Sequence, residues 1–184
     1  MARRKNALLK AEIDLAQEQL KQINILYPAS AIVLWRDYGW RKVRILRRFA
    51  TSQEVWHECA DYGIEKSILE MMEEETGIEM SLSGFDKSFH ELAYFSKDAY
   101  DGKLLDFMQT VYMRQQQKKW LAPSILSAIC ISLHRDDKWG GDRIEKFIYA
   151  VDKLRMELGE NPKKYGDLLE EVTGMKEKEM WGNE

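Results

Sequence analysis

Apolar residues recur along this chain at helical spacing throughout. Leu9, Ile13, Ala16, Leu20 and Ile23 form one stripe and predict a first helix over 6–26. Pro28 suits the first turn of a second helix, where its missing N–H would be unpaired anyway, and that helix should end near Asp37. Gly39 permits the tight turn that follows. A third helix is expected from about Trp40 to Ala60, with Ile45, Phe49, Ser52, Trp56 and Cys59 on its core face, and a fourth from Ile64 to Thr76, stopped by Gly77 as a left-handed cap. The later chain repeats the plan, with helices expected near 103–120, 123–136, 142–158 and 163–173, Pro123 opening the second of them and Gly174 closing the last.

The repetition extends to residue identities. Residues 31–45, AIVLWRDYGWRKVRI, and 130–144, CISLHRDDKWGGDRI, share Leu34/Leu133, Arg36/Arg135, Asp37/Asp136, Trp40/Trp139, Arg44/Arg143 and Ile45/Ile144 at a shift of 99. MMEEETG at 71–77 matches LLEEVTG at 168–174 at a shift of 97. Two matches in the same order indicate a tandem duplication. The expected fold is therefore all-α: two mutually similar helical halves of about four helices each. Residues 1–80 form the first repeat and 103–184 the second. Between them, residues 81–102, SLSGFDKSFHELAYFSKDAYDG, read as a packed, aromatic-rich connector with room for a short hairpin.

Composition narrows the class. Of 184 residues, 45% are apolar, enough for a real core, and 32% are charged. Two cysteines are too few for a disulfide framework and point to a reducing cytoplasm, and no stretch approaches a membrane span. Trp40 and Trp139, at matching corners, are expected to be core wedges.

Charge is where candidate chemistry lies. The net charge is −3, yet Arg41, Lys42, Arg44, Arg47 and Arg48 fall within one eight-residue run. On a helix the four arginines span an arc of roughly 120°, a stripe suited to phosphate contacts. The matching stretch of the second half, GDRIEKFI, lacks most of this charge, so the stripe reads as added to the fold rather than demanded by it. Residues 31–50 can also be laid on a helix-turn-helix frame, with Leu34 apolar in its first helix, Gly39 at the turn and Ile45 anchoring its second. Trp35 is bulky where that frame prefers a small residue, and Arg48 is charged where it prefers an apolar one. A solvated charged helix is the plainer reading of the same run.

A second cluster, Glu70, Glu73, Glu74, Glu75 and Glu79, forms an acidic face that serves solubility or engages a basic groove. His57, Cys59, Cys130 and His134 do not have the spacing of a zinc finger; buried thiols and surface imidazoles are the expected reading, with no metal and no cofactor. No phosphate-cradling loop, nucleophile elbow or acid/base constellation is recognisable, so a binder is expected rather than an enzyme.

The stretches WRDYGWRKVRILRRF, QEVWHECADYG, EMMEEETGIEM and SLHRDDKWGGDRI resemble small proteins carried by phages and prophages of gut Firmicutes, and more narrowly a type II-A anti-CRISPR protein. The resemblance carries no catalytic residues. It implies stoichiometric inhibition of the guide-loaded type II CRISPR nuclease inside the bacterial host cell. In this reading the acidic face meets the nuclease, and the basic helix holds double-stranded DNA or guide RNA. A phage helix-turn-helix regulator and a phage structural or adaptor protein are the competing readings. Leu-rich helix stripes leave a homodimer open.

Overall fold

The computed structural model describes residues 2–59, 64–80, 82–83 and 102–181, with backbone alone at 2–5, 64–67, 102–110, 112–116 and 181. The described residues are helical, with no strand: α1 (Ala2–Tyr38), α2 (Lys42–Glu58), α3 (Ile64–Thr76), α4 (Gly102–Asp137), α5 (Gly141–Leu158), α6 (Pro162–Thr173) and a closing 3₁₀ turn, Glu177–Trp181. The expected connector lies almost wholly outside the described residues.

The expected break before each proline does not occur. Pro28 lies inside the 37-residue α1 and Pro123 inside the 36-residue α4. Each set therefore has three helices rather than four. Proline within a helix costs about 3 kcal/mol, because it removes one N–H and crowds the carbonyl four residues back. Here the surroundings favour continuity. Every residue from Ile25 to Leu34 and from Pro123 to Leu133 is buried. An interruption there would strand several backbone donors and acceptors away from water, each costing as much as a lost hydrogen bond.

α1 and α4 run side by side in the same direction: Asp14 pairs with Lys118 at 3.8 Å near one end, and the Tyr38 and Trp139 rings sit 4.6 Å apart at the other. The shorter helices then cross over. α2 and α3 pack chiefly on α4, whereas α5 and α6 pack chiefly on α1; between the adjacent helices α1 and α2 the contact is more local, with Tyr27 edge to face on Phe49 at 4.7 Å and its hydroxyl 3.0 Å from Ser52 Oγ. One continuous core results, with Ile25, Phe49 and Met72 from the first set and Ile129, Phe147 and Leu169 from the second. Residues 1–80 and 103–184 are thus units of sequence whose cores are shared. Ile45, Phe49, Ser52 and Cys59 are buried on α2 as expected; Val55 joins them, and Trp56 is only partly covered.

The turns repeat in detail. The Trp40 amide donates to the Leu34 carbonyl at 3.0 Å, and the Trp139 amide to that of Leu133 at 3.3 Å. The two buried indoles meet edge to face at 5.6 Å. At the stops of α3 and α6, the Gly77 and Gly174 amides donate to Glu73 and Glu170, each at 2.9 Å with φ of 70°. The preceding threonines act alike. Thr76 Oγ1 donates to Met72 and accepts from the Ile78 amide, as Thr173 Oγ1 does with Leu169 and the Met175 amide.

One turn differs chemically. Gly39, φ 66°, has Lys138, φ 56°, as its counterpart, the one described non-glycine residue with positive φ. Lys138 Nζ donates back to the Arg135 carbonyl at 2.8 Å, an exposed bond that offsets little of the strain. Lys138→Gly should raise the unfolding free energy by about 0.5–1 kcal/mol and Gly39→Ala should lower it by about 1 kcal/mol. Urea midpoints followed by far-ultraviolet circular dichroism check both.

Candidate interaction surfaces

The five cations before and within α2 have separate fates. Arg41 caps the helix N-terminus in extended conformation and stays exposed, its guanidinium 4.8 Å from the Trp35 ring. Lys42 Nζ donates to Glu179 Oε1 at 2.9 Å. Arg44 lies over Trp40 at 4.0 Å and donates to Asp137 Oδ1 at 2.9 Å. Arg47 is exposed, and among the described residues no side-chain contact ties it down. Arg48 is 5% exposed and pairs with both Asp136 and Asp137. Its Nε lies 2.7 Å from Asp137 Oδ2 in an ion pair whose angles are not those of a hydrogen bond.

The expected open ridge of arginines is therefore not present as a unit. Arg48 faces inward, Arg44 and Lys42 are engaged by carboxylates from the second set, and Arg41 and Arg47 remain outward. The expectation that this charge is an addition to the fold is corrected for Arg48, which is buried and fills space between helices, and the matching corner shows what stands there when the charge is absent. At the same shift of 99, Arg48 corresponds to Phe147 and Asp137 to Tyr38. Phe147 and Tyr38 pack at 6.4 Å, each against Trp139. Arg143, the counterpart of Arg44, lies 4.2 Å over Trp139 and 5.1 Å over Tyr38. One corner closes with an ion cluster and the other with an aromatic cluster, built on positions that correspond at the shift of 99.

The acidic face has a different disposition. Glu70, Glu73, Glu74 and Glu79 are exposed, while Ile68 and Met72 turn the other side of α3 into the core. Glu75 is drawn inward by Arg135, whose Nη2 and Nε reach its two oxygens at 2.7 and 3.0 Å. Arg135 also reaches Glu58 at 2.9 Å. These hydrogen bonds, that to Glu75 first, raise the guanidinium pKa further and fix its charge. Arg135 is therefore a strut between α2, α3 and α4, a role the sequence reading did not assign.

Cys59 and Cys130 are free and buried, and burial raises both thiols above their ordinary pKa, making them poor ligands and nucleophiles. His134 is tied through Nδ1 to the Trp139 carbonyl at 2.8 Å. Among the described residues no group of three or more His, Cys, Asp or Glu is placed to hold a metal ion, and no helix is long and apolar enough to cross a membrane. No protein-family model, no curated protein and no solved structure matches this chain.

Arg48→Met removes a buried ion pair but leaves Asp137 with Arg44 as its remaining partner and Asp136 open to water, so it should cost about 1–3 kcal/mol. Copying the aromatic corner with Arg48→Phe/Asp137→Tyr should recover most of that loss, because well-packed apolar replacements of buried ion pairs are often neutral or better. Arg47→Ala should change stability by less than about 0.5 kcal/mol. Urea unfolding of the three variants checks the set; equal costs at positions 47 and 48 would contradict the assignment of Arg48 to the interior.

Proposed function

We propose that this protein acts by stoichiometric binding, presenting the acidic face of α3 to a cationic groove of a protein partner. We also propose that the partner is the type II RNA-guided nuclease indicated by the sequence resemblance, inside the bacterial host cell. The observation that carries the reading is the contrast between the two charged surfaces. Glu73 and Glu74 stand outward on a helix whose opposite side is anchored in the core, whereas three of the five cations on and before α2 are engaged by the chain's own carboxylates. A clustered negative face on a rigid helix favours association with positive channels, and RNA-guided nucleases hold their heteroduplex in such a channel.

Nucleic acid takes a secondary place in this reading. Arg41 and Arg47 are the cations of the run left outward, enough for a supplementary phosphate contact. The regulator reading loses ground, because Arg48 is buried and Lys42 and Arg44, though exposed, are already engaged by carboxylates, which leaves Arg47 as the cation of α2 without such a partner among the described residues. The repeated turns, caps and corners further support a tandem duplication of one three-helix unit.

The test mixes purified protein with guide-loaded nuclease and target duplex, scoring cleavage and co-elution. Cleavage should stop near one equivalent of protein, with co-elution. Glu73→Lys/Glu74→Lys should weaken both by tenfold or more, in a manner sensitive to salt. Complete cleavage without co-elution would end the inhibitor reading. Arg41→Glu/Arg47→Glu should leave stability intact and abolish any retention of duplex in a gel shift.

A further inference from the structure

The first half of α1 is apolar on two sides, and only one of them is covered. The side turned toward the rest of the molecule carries Leu8, Ala11 and Leu15, interleaved with Asp14, Glu18 and Gln22. The other side carries Leu9, Ile13 and Leu20, which are 56%, 48% and 60% exposed, with Ala16 exposed between them. Polar contacts hold this rotation in place. Asp14 pairs with Lys118 on α4, and Lys21 pairs with Glu160 beyond α5 and with Glu18 in its own helix. Ion pairs thus sit on the covered side while a full apolar stripe faces water. Among the described residues nothing covers that outer stripe.

The spacing of the stripe identifies what covers it. Leu9, Ile13, Ala16, Leu20 and the partly buried Ile23 alternate by four and three residues, the seam of a coiled coil rather than the wider face of a helix docked in a core. We propose that this seam pairs with the same seam of a second copy of the chain, antiparallel about a twofold axis between Ile13 and Ala16. Leu9 then lies against the partner's Leu20, and Ile13 against the partner's Ala16, whose small side chain admits close approach. A twofold, self-complementary patch closes on itself and does not propagate.

The flanking charges select the direction. In the antiparallel register Lys10 meets the partner's Gln17, and Glu12 meets the partner's Gln19, so each charge faces a neutral amide. A parallel register would set positions 5 and 10, both lysine, opposite one another, a like-charge contact that costs stability.

Sedimentation equilibrium on the full chain tests the proposal. A short seam should associate in the micromolar range, giving twice the 21.7 kDa chain mass at roughly 100 µM and dissociating on dilution. Leu20→Asp should give a single-chain mass at all concentrations with unchanged helicity. Ile13→Cys mixed with Ala16→Cys should form the mixed disulfide in preference to either self-linked product. A wild-type chain that stays monomeric at that concentration overturns the proposal, and if Leu20→Asp then also lowers the melting temperature, the stripe is covered within one chain. A Leu20→Asp protein that remains dimeric overturns it as well. Preferential self-linking of Ile13→Cys would show a parallel pair and overturn the antiparallel geometry.

Discussion

The rest of the molecule depends on the burial of two helical stretches, 25–34 of α1 and 123–133 of α4, side by side in one core. That burial forbids the chain from breaking at either proline, because the interior has no water to satisfy the freed backbone groups. The two long rods run in the same direction, and each sends its chain around a tight corner into its short helices. Each short helix then crosses to the other rod, and the two sets become interlocked. Cooperativity follows from this arrangement: neither rod has a complete hydrophobic environment without helices from the other set.

The corner where α1 turns into α2, and its counterpart between α4 and α5, shows how one geometry accepts different chemistry. A left-handed residue, an amide returned to a carbonyl six residues back, a buried tryptophan and an arginine stacked on it are common to both. What differs is the plug between the corner and the opposite rod. Arg48 with Asp136 and Asp137 fills one side, and Phe147 with Tyr38 the other. Buried ion pairs rarely exceed apolar packing in stability, but once built, removing one member costs stability. The charge on α2 is therefore partly a structural plug, and an acidic protein gathers arginines there because the aspartates they answer arrive from the end of α4.

Much of the local structure was legible in the sequence. The Thr-Gly stops of α3 and α6, the tryptophan corners and the core face of α2 follow from residue types with narrow conformational or packing roles. Three features were not read, each because the deciding partner is distant. Pro28 and Pro123 looked like helix starts, since a local rule cannot register burial on all sides. The Leu9 stripe identified a helix but not its inward face, because Leu8, Ala11 and Leu15 offer a second apolar side in the same helix. Periodicity alone does not say which of the two points inward; the ion pairs to Lys118 and Glu160 do. Arg48 looked like surface charge, although two signals spoke against it. The helix-turn-helix frame asks for an apolar residue there, and Arg48/Phe147 changes together with Asp137/Tyr38 between the two sets.

The distribution of charge follows from the same interlocking. Cations at the start of α2 draw in Asp136, Asp137 and Glu179, and Arg135 draws in Glu58 and Glu75. Each internal pairing removes one positive and one negative charge from the outward balance, and Glu73 and Glu74 stay outward with no such pairing among the described residues. At short range the outward field of α3 is then more negative than the bulk composition implies. The basic helix, conspicuous in the sequence, is muted by contrast. A surface reading of this chain has to begin from the charges that remain after folding.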